Sequence, residues 1–138
     1  MFARIFNNRS PASVLLQASR MASKGNREIS YEDLKADLGK KDLLLVDVRS
    51  EKEVNNGRIP GSVHIPVDTV DAAFQLSNEE FLAKYGVNKP PLDTRNLVFH
   101  CQMGKRGAAA TSMAIAQGYK NACNYAGGYQ EWSAKEGK

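Results

Sequence analysis

Apolar positions along the chain fall into short dense runs separated by polar, capped stretches. "LLLVDV" (43–48) is apolar almost throughout, as a strand buried on both faces of a parallel sheet requires. Residues 96–100 repeat that pattern, and shorter runs at 62–65, between Pro60-Gly61 and Pro66, and at 122–125 predict two further strands. The segments between them read as helices. Ser30 with Asp33 supplies an N-cap and Gly39 a left-handed stop, and Ser50 with Glu53 repeats the cap ahead of Gly57. Residues 68–85 hold one or two helices, with a second start at Ser77–Glu80 and an end at Gly86. Helices are also expected over 107–117, stopped by Gly118, and over 129–135, whereas "KPPLDTR" (89–95) is a loop. Strand and helix alternate throughout, so the pattern predicts an α/β domain whose central, mainly parallel sheet is flanked by helices.

At 138 residues and 42% hydrophobic content the chain suits one core and no second domain. Its net charge of +4 comes from one end. Residues 1–27 carry Arg4, Arg9, Arg20, Lys24 and Arg27 and no acid, leaving 14 basic and 15 acidic residues in 28–138. The body therefore offers no basic stripe with interleaved aromatics for nucleic acid. The Arg- and Ser-rich leader, with scattered Phe2, Ile5, Phe6, Leu15 and Leu16, is similar to an organellar import peptide; the alternative is an untargeted, disordered tail. Its longest apolar stretch, Val14–Leu16, is too short for a membrane span. A mitochondrial location follows from an active leader, and a cytoplasmic one from a start at Met21 or an inactive leader. Two cysteines, Cys101 and Cys123, and two histidines, His64 and His100, match neither a zinc site nor a disulfide framework, so no metal is expected and a reducing compartment fits.

The chemistry concentrates in "FHCQMGKRGAAATS" (99–112). Cys101 ends a strand, where open α/β sheets place their sites, and "CQMGKR" leads into a helix whose free N–H groups and positive dipole end converge near the sulfur. A cysteine after a strand is by itself a small buried hydrophobe. The Gly-Lys-Arg loop and the helix start add a reason for function. A free cysteine with a pKa near 8.5 is only about 3% ionised at pH 7, and a helix terminus with two cations favours the thiolate. Gly104 permits a bend with positive φ, while Lys105 and Arg106 offer charge to an anion, Arg106 as a bidentate clamp. His100 is a poor general base, because consecutive strand residues point to opposite faces. Cys123 reads as buried and inert, Trp132 as a packing residue of the last helix, and His64 as a hydrogen-bonded strand residue.

"DVRSEKE" (47–53), "GRIPGSVHIPV" (57–67), "CQMGKRG" (101–107) and "GYKNACNYAGGYQEW" (118–132), in that order and spacing, resemble a single-domain rhodanese over about residues 28–136. The cysteine loop and the "NYAGGYQEW" ending are most similar to the thiosulfate:glutathione type of the family. That resemblance implies a rhodanese fold over 28–138 and a double displacement. Cys101 would take sulfur from thiosulfate as a persulfide and pass it to glutathione, another thiol or cyanide. No cofactor is implied beyond the persulfide. Gln102, Met103, Gly104, Lys105 and Arg106 would cradle the substrate, with Met103 an apolar wall at the pocket mouth and the two cations on the sulfonate. Asp47 and Arg49 match a family motif that would support the loop; a surface ion pair is the other reading. Arg58 stands where many members have histidine.

The expected partners are a small anionic sulfur donor and a thiol acceptor, a protein thiol included, for a monomer that engages neither nucleic acid nor membrane. A rhodanese-like binding module or persulfide carrier is the alternative function. Cysteine phosphatases and arsenate reductases resemble C-x5-R, and here the sixth position after the cysteine is Gly107, with Arg106 one residue early. A fluorescent fusion of residues 1–27 is expected to concentrate in an organelle, and a signal spread through the cytosol would exclude import.

Overall fold

The computed structural model describes residues 27–137. The leader, apart from Arg27, lies outside the described residues, and with it the import reading and Met21. Five strands form one wholly parallel sheet: β1 (Arg27–Glu28), β2 (Leu44–Asp47), β3 (Val63–His64), β4 (Leu97–His100) and β5 (Cys123–Tyr125), in the spatial order β1-β5-β4-β2-β3. The helices are α1 (Tyr31–Asp37), α2 (Glu51–Asn55), α3 (Val70–Ala73), α4 (Asn78–Tyr85), α5 (Lys105–Ala116) and α6 (Gly128–Glu136), with a 3-10 turn at Val67–Thr69 before α3.

Side chains alternate across each strand and build two cores. Leu44, Val46, Leu97 and Phe99 face one core with Val70, Phe74, Phe81, Ala110 and Ala114. The Phe74 ring meets Phe81, Phe99 and Tyr119 at centroid distances of 5.4, 5.8 and 5.4 Å. Leu45, Val98, Cys123 and Tyr125 face the other core with Leu34, Ile59 and Trp132. Trp132 packs α6 there against the Tyr31 ring, and burial pushes the Cys123 thiol up, away from reactivity.

Order of the strands locates the crevice. From β2 the chain goes outward to β3 and then returns to place β4 on the other side of β2. The connections therefore diverge between β2 and β4, and ligand sites of open parallel sheets lie beyond the carboxyl ends at such a point. Asp47 and His100 are register partners at those two ends.

Two capping boxes form as the sequence predicts, Ser50 with Glu53 on α2 and Ser77 with Glu80 on α4. Gly86 ends α4 at φ 76°. Gly39 departs from its expected left-handed conformation. Its predecessor Leu38 is right-handed and donates its N–H to the Lys35 carbonyl, so α1 closes in a tighter turn without a positive φ at Gly39. β1 escaped the apolar pattern because it is two exposed polar residues at a sheet edge, and it draws Arg27 into the folded body. Gly86→Ala is expected to cost about 1 kcal/mol, the left-handed penalty. Gly39→Ala, with open space around it, is expected to gain about 0.5 kcal/mol; chemical denaturation midpoints check both.

Candidate active site

Cys101 follows β4 directly and is 1% exposed, packed on the first core. The helix after it begins at Lys105, two residues before the expected Gly107. Gly104 is the reason: at φ 103° it turns the chain, and its carbonyl accepts the Ala108 N–H at 2.9 Å. The Gly104 N–H donates to the Cys101 Sγ at 3.0 Å. A side chain at Gly104 would stand 2.6 Å from the Ala126 carbonyl oxygen, which excludes one.

A second helix end holds the loop from the other side. The Tyr129 and Gln130 N–H groups, in the first turn of α6, donate to the carbonyls of Cys101 (2.8 Å) and Gln102 (3.1 Å). Gly128 permits that approach, because a Cβ there would collide with both carbonyls. Asn124 Nδ2 donates to the Gly104 carbonyl at 3.0 Å. The loop carbonyls are thus directed into the protein, and its amide toward the sulfur.

Asp47 and Arg49 are not a surface pair: their side chains are 0% and 2% exposed. Arg49 Nε and Nη2 donate to the two Asp47 oxygens at 3.0 and 2.8 Å. Its Nη2 also donates to the Gly57 carbonyl at 2.8 Å, its Nη1 to the Gln102 side-chain oxygen at 3.3 Å, and its Cζ lies 4.4 Å from the centroid of the Tyr129 ring. Burial raises the Asp47 pKa, and the hydrogen bonds and charge of Arg49 outweigh it, leaving the group below its ordinary value.

His100 faces away from the thiol, as strand alternation predicts. Its Nδ1–H donates to the Cys101 carbonyl at 3.1 Å, and its Nε2 lies 3.7 Å from Asp47 without a hydrogen-bond partner. Burial lowers the His100 pKa against the opposing pull of Asp47, so the ring stays neutral. His64 donates its Nε2–H to the Arg49 carbonyl at 2.7 Å.

The mouth carries the remaining candidates. Met103 is 70% exposed, and Lys105 is exposed and makes no ion pair among the described residues. Arg58 is exposed and turned to Ser62, donating to its hydroxyl and carbonyl at 3.2 and 2.7 Å. The Arg106 pKa is raised, first by its hydrogen bonds to Glu53 and to a smaller extent by the charge of the Cys101 thiolate. Its fork is engaged: Nη1 and Nη2 donate to the two Glu53 oxygens at 2.7 and 3.0 Å.

The family model described as "Rhodanese-like domain" matches residues 30–135. The chain belongs to the rhodanese family. It is 45% identical to the human thiosulfate:glutathione sulfurtransferase, covering 81% of this chain and 97% of that protein. It is 40% identical to the mitochondrial thiosulfate sulfurtransferase RDL2 of Saccharomyces cerevisiae over 68% of this chain and 62% of that one. The solved structure of the human single-domain sulfurtransferase TSTD1 superposes with a TM-score of 0.74 at 44% identity, covering 78% and 96% of the two chains. The rhodanese fold is therefore the architecture of this chain.

Three groups around the rhodanese loop went unnoticed in the sequence: Glu53, Asn124 and the α6 amides. Glu53 was legible only as a cap. Asn124 sits among apolar strand residues, a polar position that signals a partner. A cleft of about 850 Å³ lined by Lys41, Asp42, Lys89, Pro91 and Arg95 lies at the opposite, amino ends of the strands. Its lining holds no thiol or imidazole. Three groups make the molecule acid-sensitive, the buried Asp47 among them, its carboxyl held below the ordinary value of 3.8. Neutral His100 gains protons more readily unfolded, so stability is complete above the ordinary value of 6.5 and falls as pH drops below it. Glu53, lowered from 4.5 to about 2 by Arg106, withdraws its contribution between those values. Urea midpoints are expected to be level from pH 6.5 to about 8, below the range in which the unfolded Cys123 thiol ionises, and to decline below pH 6.5 and again below pH 4.5.

Proposed function

We propose that this chain moves the sulfane sulfur of thiosulfate to glutathione through a persulfide on Cys101. The observation that carries the reading is the Gly104 N–H on Cys101 Sγ at the start of α5. A fixed donor and a helix N-terminus stabilise negative charge on sulfur without any charge-neutralising base. The names of the human and yeast relatives support thiosulfate as donor, and that of the human relative supports glutathione as acceptor.

In the first step the Cys101 thiolate attacks the outer sulfur of thiosulfate. A new S–S bond forms, the donor's S–S bond breaks, and sulfite leaves with the electron pair. In the second, the glutathione thiolate attacks the outer persulfide sulfur and Cys101 departs as thiolate, so no external oxidant or reductant is needed. Dividing the transfer in this way replaces one difficult step with two easier ones. Lys105 and Arg106 attract the sulfonate, with Gln102 and Met103 at the rim. Asp47 and Arg49 act through Gln102 as positioning residues, and Arg58 is a rim cation. The mitochondrial name of the yeast relative and the arginine-rich leader support a mitochondrial location.

Intact mass spectrometry after thiosulfate is expected to show one added sulfur atom that glutathione removes. Cys101→Ser is expected to add none and to lose activity by about three orders of magnitude or more. Turnover retained in that variant would overturn the reading.

A further inference from the structure

Glu53 has no place in the double displacement, yet it is bonded to the guanidinium of Arg106, at the end of the cysteine loop. Its carboxylate is aimed independently of Arg106. As the third residue of α2 it closes a capping box, with Oε1 accepting from the Ser50 N–H and hydroxyl at 3.0 Å each. The Arg106 fork then meets it edge to edge, both terminal nitrogens engaged. The pair is partly open to solvent, with side chains 38% and 33% exposed, so an incoming anion can compete for the fork.

We infer that Glu53 is a specificity-determining residue: an internal anion that occupies the Arg106 clamp and that the anionic end of the donor must displace. Two consequences follow from the charges. Approaching the loop, an anion meets in Lys105 a cation with no ion pair among the described residues, whereas Arg106 is already neutralised. An anion too weak to exchange with a fixed carboxylate leaves the clamp closed. Glu53 thereby lowers the affinity for every anionic donor and reserves the guanidinium for those whose oxygens can match a bidentate carboxylate.

The inference rests on the sulfur-transfer reading, and the test separates the two. Glu53→Gln keeps the capping box, since glutamine fills that position equally, while removing the charge. Its KM for thiosulfate is expected to fall about fivefold with kcat unchanged, the scale of a half-exposed ion pair. The change should vanish in an Arg106→Gln background, because it acts through that guanidinium. Alkylation of Cys101 reads the same clamp without turnover. Glu53→Gln should speed labelling by anionic iodoacetate over neutral iodoacetamide by a similar factor. A KM and an alkylation ratio that stay level or move the other way would overturn the inference, as would an equal change in the Arg106→Gln background. Loss of wild-type turnover with the alkylation effect intact would instead remove the sulfur-transfer reading alone.

Discussion

A guanidinium withdrawn from water costs several kcal/mol unless its donors are met, and the site is organised around one that is. Arg49 leaves β2 at the point where the strand order reverses, and its partners come from separate parts of the chain. Asp47 lies on its own strand, Gly57 after α2, Gln102 in the cysteine loop and Tyr129 on α6. Satisfying one buried charge therefore fixes three connections relative to each other. Because breaking such a cluster leaves an uncompensated charge inside the protein, its geometry resists the small displacements that a reactive loop would otherwise permit.

On that support, the environment of the sulfur is set mainly by backbone. The Gly104 amide contacts Sγ, while the α6 amides and Asn124 draw the loop carbonyls away. Fixed dipoles need no reorganisation when charge develops, which suits a sulfur that alternates between thiolate and persulfide. The cations have a different part. Lys105 is exposed with no ion pair among the described residues, and Arg106 is held by Glu53, so the site's affinity for anions is adjustable separately from its hold on the cysteine.

Much of this was legible in the residues themselves. Apolar runs at 43–48 and 96–100 located β2 and β4, the Ser-x-x-Glu caps located α2 and α4, and the strand-Cys-loop-helix order located the thiol. These features depend on local periodicity and on hydrogen bonds within a few residues, which a linear pattern records directly. Less legible were the start of α5, displaced by the conformation of Gly104, and the right-handed exit from α1 at Leu38. A glycine allows either hand, so its presence alone does not choose one.

What the sequence by itself determined was the alternating architecture, the membership it resembles and the position of Cys101 at a strand end. Tertiary structure decided which charges meet. Asp47 and Arg49 read equally well as a surface pair until β2 proved to lie inside the sheet, between β4 and β3, and Glu53 read only as a helix cap until its carboxylate met Arg106 of α5. Ion pairing falls off steeply with distance and depends on burial, and both are properties of elements brought together across 50 or so residues. No local pattern carries them, so the electrostatics of the mouth belongs to the fold.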